Sequence, residues 1–299
     1  MHGDRLTGPD ALRGVAAMAV MVFHFDKGLL PLGMLAVDMF FILSGYILTL
    51  LYQDRLRNGL SFGEFAWRRF VRLYPIFFFG VLLSFYMGGF RPLALLMIGD
   101  PGHVHFPGNK PLWTLPQEML ISLFFAAWFF RLRSRWLVLI VALGAAYNIA
   151  LFAGSVPEVR QLQRVFTMFP LGMLFARMQY ERKESWLPYL ALVGMVGAFA
   201  LPLEHRLLVS YTALPAVMLV FARYDMPHSR LALWLGAISF PLYAIHVPLL
   251  NLTGIWALPL SVVGAWAVAR YYDEPVRQAL EGWRQRRIAR SAAASRAPV

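Results

Sequence analysis

Long apolar windows separated by short polar stretches run through the chain from residue 11 to residue 272. The windows cover residues 11–26, 33–52, 70–88, 113–130, 136–153, 165–180, 186–203, 207–222, 231–252 and 255–272. Each approaches the roughly 20 residues that a helix needs to cross a bilayer. The apolar runs are continuous rather than alternating, which favours helices over the strands of a membrane barrel. The pattern predicts an all-α membrane protein, a bundle of about ten transmembrane helices.

The composition supports the membrane class. Hydrophobic residues make up 59% of the 299 residues and charged residues 15%, with a mean hydropathy of +0.56. A soluble domain is nearer half apolar and one quarter charged. The first window follows a basic start, but no small-residue cleavage site follows it, so we expect a retained helix rather than a signal peptide. The chain has no cysteine, which excludes disulfides, cysteine-ligated zinc and a catalytic thiol.

The formal net charge of +12 is distributed unevenly between the two sides of the predicted bundle. Of the 28 lysine and arginine residues, 22 fall on the side of the N-terminus and 6 on the other. The positive-inside rule then places both termini in the cytoplasm and explains the basic charge without a nucleic-acid partner. We predict a transmembrane domain over residues 1–272 and a basic cytoplasmic tail over 273–299, attracted to anionic lipid.

The first window, "RGVAAMAVMVFH", begins with Arg13 and ends with His24. Eleven residues bring both side chains to nearly the same helix face, about 16 Å apart along the axis. Arg13 could extend to the inner headgroups while His24 marks the outer interface. Alternatively, the two form a polar stripe that lines a cavity across the membrane, since ionisable groups inside membranes are candidate functional sites.

Three further ionisable residues fall within or next to apolar windows. Asp38 needs a partner, and its place near the outer end of the second helix favours His24 or else a structural ion pair. Glu118, at the outer start of the fourth helix, either stabilises the helix dipole or lies beside His24 and fixes its tautomer. For His246 we expect packing or hydrogen bonding rather than catalysis.

A cluster of arginines, Arg68, Arg69 and Arg72, lies at the inner end of the third helix in "FAWRRFVRLYPIF". Their spacing of three and four residues predicts one shared face. Positive-inside anchoring is one explanation. The other is a phosphate-bearing ligand from the cytosol, because guanidinium groups bind phosphate in a bidentate manner.

Other motifs carry little weight. "GLSFG" matches the hydrolase elbow, but that motif needs a strand before it and no sheet is predicted. His103 and His105, in a Gly/Pro-rich loop, are too few to indicate a metal site, and no nucleotide-binding glycine motif or zincin motif occurs. We therefore expect no metal.

Six segments in order resemble the acyltransferase 3 family of polytopic membrane O-acyltransferases. They are "PDALRGVAAMAVMVFH", "VDMFFILSGYIL", "RRFVRLYP", "PLWTLPQE", "ISFPLYAIH" and "YYDEPVR". The resemblance spans nearly the whole chain. It implies about ten helices and transfer of an acyl group, commonly acetyl, from cytosolic acyl-CoA to an extracytoplasmic acceptor, usually a sugar hydroxyl of a glycan or glycolipid.

The resemblance also implies roles for individual residues. Arg13 and His24 match the family's essential pair, and Arg69 with Arg72 matches its Arg-x-x-Arg element. We expect CoA phosphates at Arg68, Arg69 and Arg72, with Arg13 near the thioester. His24 then acts as general base or is itself acylated first.

The remaining expected site residues fall into two groups. Glu118 or Asp38 is expected to orient the imidazole of His24. Four residues are expected to contact the substrates: Ser44, Tyr74, Trp113 and His246.

A transporter or flippase, whose polar residues would line a substrate path, is the main rival function. Transporters often show inverted repeats or paired broken helices, and neither is evident in this sequence. Some relatives carry a fused esterase-like C-terminal domain, which we do not expect here. The expected location is the inner membrane of the cell.

Overall fold

The computed structural model describes residues 7–86, 92–98, 106, 108–155, 162–227 and 229–294. A helix lies in each of the ten predicted windows. The helices are α1 Thr7–Phe25, α2 Ala36–Arg57, α3 Phe62–Tyr86, α4 Thr114–Ala127, α5 Ser134–Phe152, α6 Leu162–Arg177, α7 Leu187–Phe199, α8 Arg206–Leu208, α9 Leu214–Arg223, α10 Arg230–Thr253, α11 Ala257–Val268 and α12 Glu274–Ala294. Within the described ranges the only strands are β1 Lys183–Glu184 and β2 Tyr224–Asp225, which pair in parallel.

Five helical segments of the described chain are long and apolar enough to cross a membrane. They are Gly33–Arg57, Phe62–Tyr86, Ser134–Phe152, Leu203–Arg223 and Arg230–Thr253. Helix α7, in contrast, has 13 residues and spans about 20 Å, less than the roughly 30 Å hydrocarbon core. The protein is therefore a helical, multi-pass membrane protein, while the count of ten spans stays a prediction.

Helices α1 and α10 pack together through glycines. A Cβ atom on Gly14 would overlap Leu235, and one on Gly236 would overlap Asp10. Small residues let helix backbones approach closely where lipid provides no hydrophobic drive for association. This close approach turns the polar residues of α1 toward α10.

Helices α2 and α6 are held even closer. A Cβ atom on Gly45 would overlap the carbonyl oxygen of Phe169, and one on Gly172 would overlap that of Ile42. Both obstacles are backbone atoms, which cannot rotate away as a side chain can. The pair therefore fixes α2, which carries Asp38 and Ser44, against α6.

A buried asparagine ties the segment before α4 to α10. Pro248 has no N–H group and leaves the carbonyl of Ala244 without its usual helical partner. The Nδ2 group of Asn109, which is fully buried, donates to that carbonyl at 2.7 Å. The hydroxyl of Tyr243 donates to the carbonyl of Pro111 at 3.0 Å. Together these bonds set the start of α4 on the C-terminal half of α10.

The predicted basic tail contains α12, which packs against α3. Trp283 lies 6.0 Å from Trp67 between ring centroids, and Arg284 forms an ion pair with Glu64. A π-helical turn, Ala269–Asp273, joins α11 to α12.

Candidate active site

A small cavity of about 40 Å³ lies between α1, α2, α4 and α10, and we call it the central cavity. Its polar lining comes from Arg13, Ser44, Thr114, Glu118, Ser239 and Tyr243. The first windows of the sequence and the distant "ISFPLYAIH" segment therefore contribute to one site. The two segments come together because glycines let α1 and α10 pack closely.

Glu118 is the charged centre of this cavity. Its Oε1 atom accepts a hydrogen bond from Arg69 at 2.8 Å and another from the Ser44 hydroxyl at 3.1 Å. The side chains of Arg69 and Glu118 are only 11% and 12% exposed. A buried carboxylate and guanidinium compensate each other's charge, which is how two such side chains can lie together away from water.

Arg13 lies at the edge of the central cavity nearest the cytoplasmic side of the predicted topology. Its guanidinium is 3.4 Å from the Asp10 carboxylate and 5.5 Å from the centre of the Phe240 ring. The guanidinium of Arg72 lies 5.1 Å from the same ring. Phe240 therefore stands between two cations, an arrangement favoured by the negative face of an aromatic ring.

A second cavity, of about 230 Å³, lies beyond Phe240, and we call it the inner cavity. It contains three arginines and three acids: Arg72, Arg270, Arg277, Asp10, Asp273 and Glu274. Among the described residues, Phe240 alone lines both this cavity and the central one. Burial raises the pKa of Asp273, which follows the last predicted window, while Arg277 at 3.3 Å opposes the shift.

His24 lies at the far end of α1 and is exposed. Its Nδ1 atom is 2.9 Å from the carbonyl oxygen of Val20 and 3.2 Å from Nε2 of His246. His246 is fully buried, and its Nδ1 atom is 3.0 Å from the carbonyl oxygen of Leu242.

When both imidazole rings are neutral, these contacts fix which nitrogen of each ring carries the proton. Only a protonated Nδ1 on His246 can donate to the Leu242 carbonyl, which leaves Nε2 of His246 as an acceptor. The Nδ1 atom of His24 must then carry a proton, which it donates to both Nε2 of His246 and the carbonyl oxygen of Val20. The lone pair of His24 is therefore on Nε2, on the side of the ring away from His246, where it can accept a proton.

Asp38 belongs to a different part of the molecule. It is 2% exposed, and its carboxylate accepts from Arg164 at 2.8 Å and from the Ser210 hydroxyl at 3.1 Å. These three residues line a third cavity, of about 400 Å³, which we call the outer cavity.

Comparison with known proteins decides the family. The family model described as "Acyltransferase domain" matches residues 6–270. The chain belongs to this acyltransferase family. The family suggested by the sequence motifs, and the enzyme class of acyltransferases that transfer groups other than aminoacyl groups, are thereby confirmed.

The acyltransferase is similar to several curated proteins. It is 24% identical to the peptidoglycan O-acetyltransferase OatA of Listeria monocytogenes over 345 residues, covering 90% of this chain and 55% of the relative. It is 38% identical to the O-acetyltransferase OatA of Staphylococcus aureus over 90 residues, covering 28% and 15% respectively. Protein 2 in the picA locus of Rhizobium radiobacter is 30% identical over 169 residues, covering 46% of this chain and 88% of the relative. The chain thus spans about half the length of the Listeria protein. No solved structure matches it.

In this acyltransferase, Arg13 and His24 both face α10, as their spacing predicts. The predicted continuous cavity between them is not found, because the Tyr243 ring lies between the central cavity and the histidines. Tyr243 lines that cavity and its ring lies 5.8 Å from the ring of His246.

The expected partners of His24 are wrong. Neither Asp38 nor Glu118 contacts it among the described contacts, since each is bound to an arginine on another helix. The partner found is His246, 222 residues away. Sequence reasoning expected a hydrogen-bonding role for His246 but had no means of pairing it with His24.

The three predicted phosphate-binding arginines do not form one cluster. Arg68 pairs with Glu64 at 2.8 Å on the surface, Arg69 pairs with Glu118, and Arg72 faces the inner cavity. Neighbouring residues on a helix point about 100° apart, and two acids each neutralise one member. Of the three, Arg72 is the one that lines the inner cavity together with Arg270 and Arg277.

The expected substrate contacts are also divided. Ser44 lines the central cavity, and Trp113 is buried behind it, 6.5 Å from Phe41. The hydroxyl of Tyr74 instead donates to the carbonyl of Leu95 at 3.0 Å, and Tyr74 is not among the residues lining this cavity.

Metal ligands are not grouped in the described part of the chain. No set of three histidine, aspartate or glutamate side chains there could hold a metal ion. His103 and His105, considered from the sequence, lie outside the described residues.

Proposed function

We propose that the protein moves an acyl group, acetyl in the first instance, from cytosolic acyl-CoA to a hydroxyl of an extracytoplasmic carbohydrate or glycolipid. The observation that carries the proposal is a row of three residues on α10. Phe240 borders the inner cavity, Tyr243 borders the central cavity, and His246 contacts His24. The OatA relatives, named as O-acetyltransferases, support acetyl and a glycan acceptor.

The donor enters from the inner cavity in this proposal. Arg72, Arg270 and Arg277 present guanidinium groups suited to the phosphates of CoA. The thioester arm then passes Phe240 into the central cavity, where Arg13 and the Arg69–Glu118 pair supply a fixed polar environment. These groups hold the arm while its thioester end passes Tyr243 and reaches His24, where the transfer takes place.

The reaction exchanges one acyl bond for another. The acceptor oxygen attacks the thioester carbon, an ester C–O bond forms, and the C–S bond to CoA breaks. The Nε2 atom of His24 takes the hydroxyl proton and passes it to the departing thiolate. If His24 is acylated first, the same Nε2 atom forms the intermediate, and the acyl group leaves it for the acceptor oxygen.

The proposal requires a defined orientation in the membrane. We propose ten spans with both termini cytoplasmic, residues 1–272 as the catalytic domain and 273–299 as its tail, in the inner membrane. Because the chain is free of cysteine, single-cysteine variants can be labelled from outside the cell. A cysteine at Lys27 should react with an impermeant maleimide and one at Arg286 should not; the reverse would exclude this orientation.

Mass spectrometry of surface glycans tests the function itself. Cells that express the protein should carry glycans one acetyl mass heavier at some positions than cells that lack it. Purified protein should also release CoA from acetyl-CoA, and a thiol reagent detects only CoA because the chain has no cysteine. Transport of a glycan without acyl chemistry would instead support the transporter function.

His246 is a positioning residue, and its replacement by phenylalanine should lower the transfer rate by about 10–100-fold. Phenylalanine keeps the ring volume but removes the acceptor that holds the Nδ1 proton of His24. The expected signature is a changed pH profile of the transfer rate, since the tautomer and basicity of His24 are no longer fixed.

His246→Gln provides the matched control. Its side-chain oxygen can replace the acceptor, so it should recover part of the rate and the original pH profile. If phenylalanine and glutamine reduce the rate equally without a change in profile, His246 has only a packing role.

A further inference from the structure

The outer cavity is larger than the central one and is not used by the proposed acyl path. Its volume of about 400 Å³ falls within the range of small-molecule binding sites. Its polar lining comes from Asp38, Asn148, Gln163, Arg164, Arg206 and Tyr211. The lining residues lie on α2, α5, α6 and the segment before α9, at ends that the predicted topology places outside.

The cavity carries an excess of positive charge. Arg164 is fixed by Asp38 at 2.8 Å and by the carbonyl of Met34 at 3.2 Å. The Arg206 guanidinium lies over the Phe152 ring, 4.2 Å from its centre, and no described carboxylate is within ion-pair distance of it. The described lining thus has two guanidinium groups and one carboxylate, which favours an anionic ligand.

The cavity also has groups suited to sugar hydroxyls. The Oε1 atom of Gln163 is buried and has no hydrogen-bond partner among the described residues. A buried polar atom without a partner costs free energy, which a ligand donor would recover. Ser210 and Tyr211 lie in a π-helical turn, Val209–Ala213, and such turns frequently mark functional sites.

The outer cavity and His24 are connected through the turn after α1. Met34 lines the cavity, and the preceding Gly33 packs against Phe23, whose ring lies 5.1 Å from that of His24. The cavity therefore adjoins the turn that follows His24, which places a bound sugar on the same side of the bundle as the imidazole.

We infer that the outer cavity binds the carbohydrate acceptor and selects glycans that carry an anionic group, such as a uronic acid. This inference rests on the proposed function and names its substrate class. Arg206 supplies the free charge, Gln163 and Asn148 supply hydrogen bonds, and Asp38 holds Arg164 in place.

Binding of a matched pair of disaccharides tests the inference. Cellobiose and cellobiouronic acid differ only in one carboxylate, and their affinities for the full chain in nanodiscs can be measured by saturation-transfer NMR. We expect the acid to bind about 10-fold more tightly, since a hydrogen bond to a charged group is worth about that factor. Arg206→Gln should remove this preference.

Arg223→Gln is the matched control. Arg223 lies at the other end of the same helical segment, over Tyr180 and outside the cavity, and its replacement removes the same charge. It should leave the preference intact. Equal binding of the two sugars to the wild type, or an equal loss in both variants, would overturn the inference.

Release of CoA from acetyl-CoA, measured both with water alone and with added glycan acceptor, separates this inference from the proposed function. Arg223→Gln should release CoA at the wild-type rate, because Arg223 lines neither the inner cavity nor the outer one. A wild type that keeps the acidic preference but never releases CoA contradicts the proposed function and leaves the binding site supported. A wild type that releases CoA without preferring the acid overturns the inference alone.

Discussion

Replacement of His24 by alanine should lower acyl transfer by about 10²–10⁴-fold, the usual contribution of a general base. The imidazole is exposed at the end of α1, so its loss removes little packing. It does remove the one ring nitrogen, Nε2, that the contact with His246 leaves available. Release of CoA from acetyl-CoA and ester formation on the acceptor measure the effect.

Lys27→Ala is the control for this variant. Lys27 lies in the turn that follows α1, three residues after His24, and its ammonium is 5.9 Å from the centre of the Phe23 ring. The proposed reaction does not use it. It should retain the wild-type rate. A His24→Ala protein that is stably folded and as active as Lys27→Ala would remove His24 from the reaction.

Replacement of Gly172 by alanine is expected to destabilise the bundle by about 1–3 kcal/mol or more, the cost of overpacking a closed interior. The added methyl group would overlap the carbonyl oxygen of Ile42 and approach the backbone N of Tyr46. Neither atom can move without displacing α2 from α6. Thermal unfolding of the purified protein in detergent measures the loss of stability.

Gly194→Ala is a matched substitution on α7, where nothing lies within 4 Å of the added atom. It should be neutral or slightly stabilising, because alanine favours helix more than glycine does. Equal stability of the Gly172→Ala and Gly194→Ala proteins would mean that the α2–α6 contact is not rigid. Displacement of α2 should also reduce activity, since it carries Ser44.

The positions of the helices could be read from the sequence because membrane helices leave long apolar windows. The number of membrane spans was harder to predict, since α7 and α11 are short and apolarity alone does not show how a short helix lies in a bilayer. Gly45 is present in the second window, but its packing role depends on Phe169, far away in the chain.

Ionisable residues could be recognised from the sequence, whereas their partners could not. Asp38 needed a partner, and His24 on the preceding helix was the expected one. The partner is Arg164, which had counted only as a charge on the outer side. Likewise, Glu118 was expected near His24 because both lie toward the outer ends of helices, yet Arg69 reaches it from the third helix.

The Phe240 ring has a consequence for the cell as well as for catalysis. A protein that hands a chemical group across a membrane must not become a leak for protons or salt. In the proposed reaction the acyl arm passes Phe240 on one side of the central cavity and Tyr243 on the other, so the two rings need not move aside at the same time. Under this proposal the membrane keeps its ion gradients while the acyl group crosses.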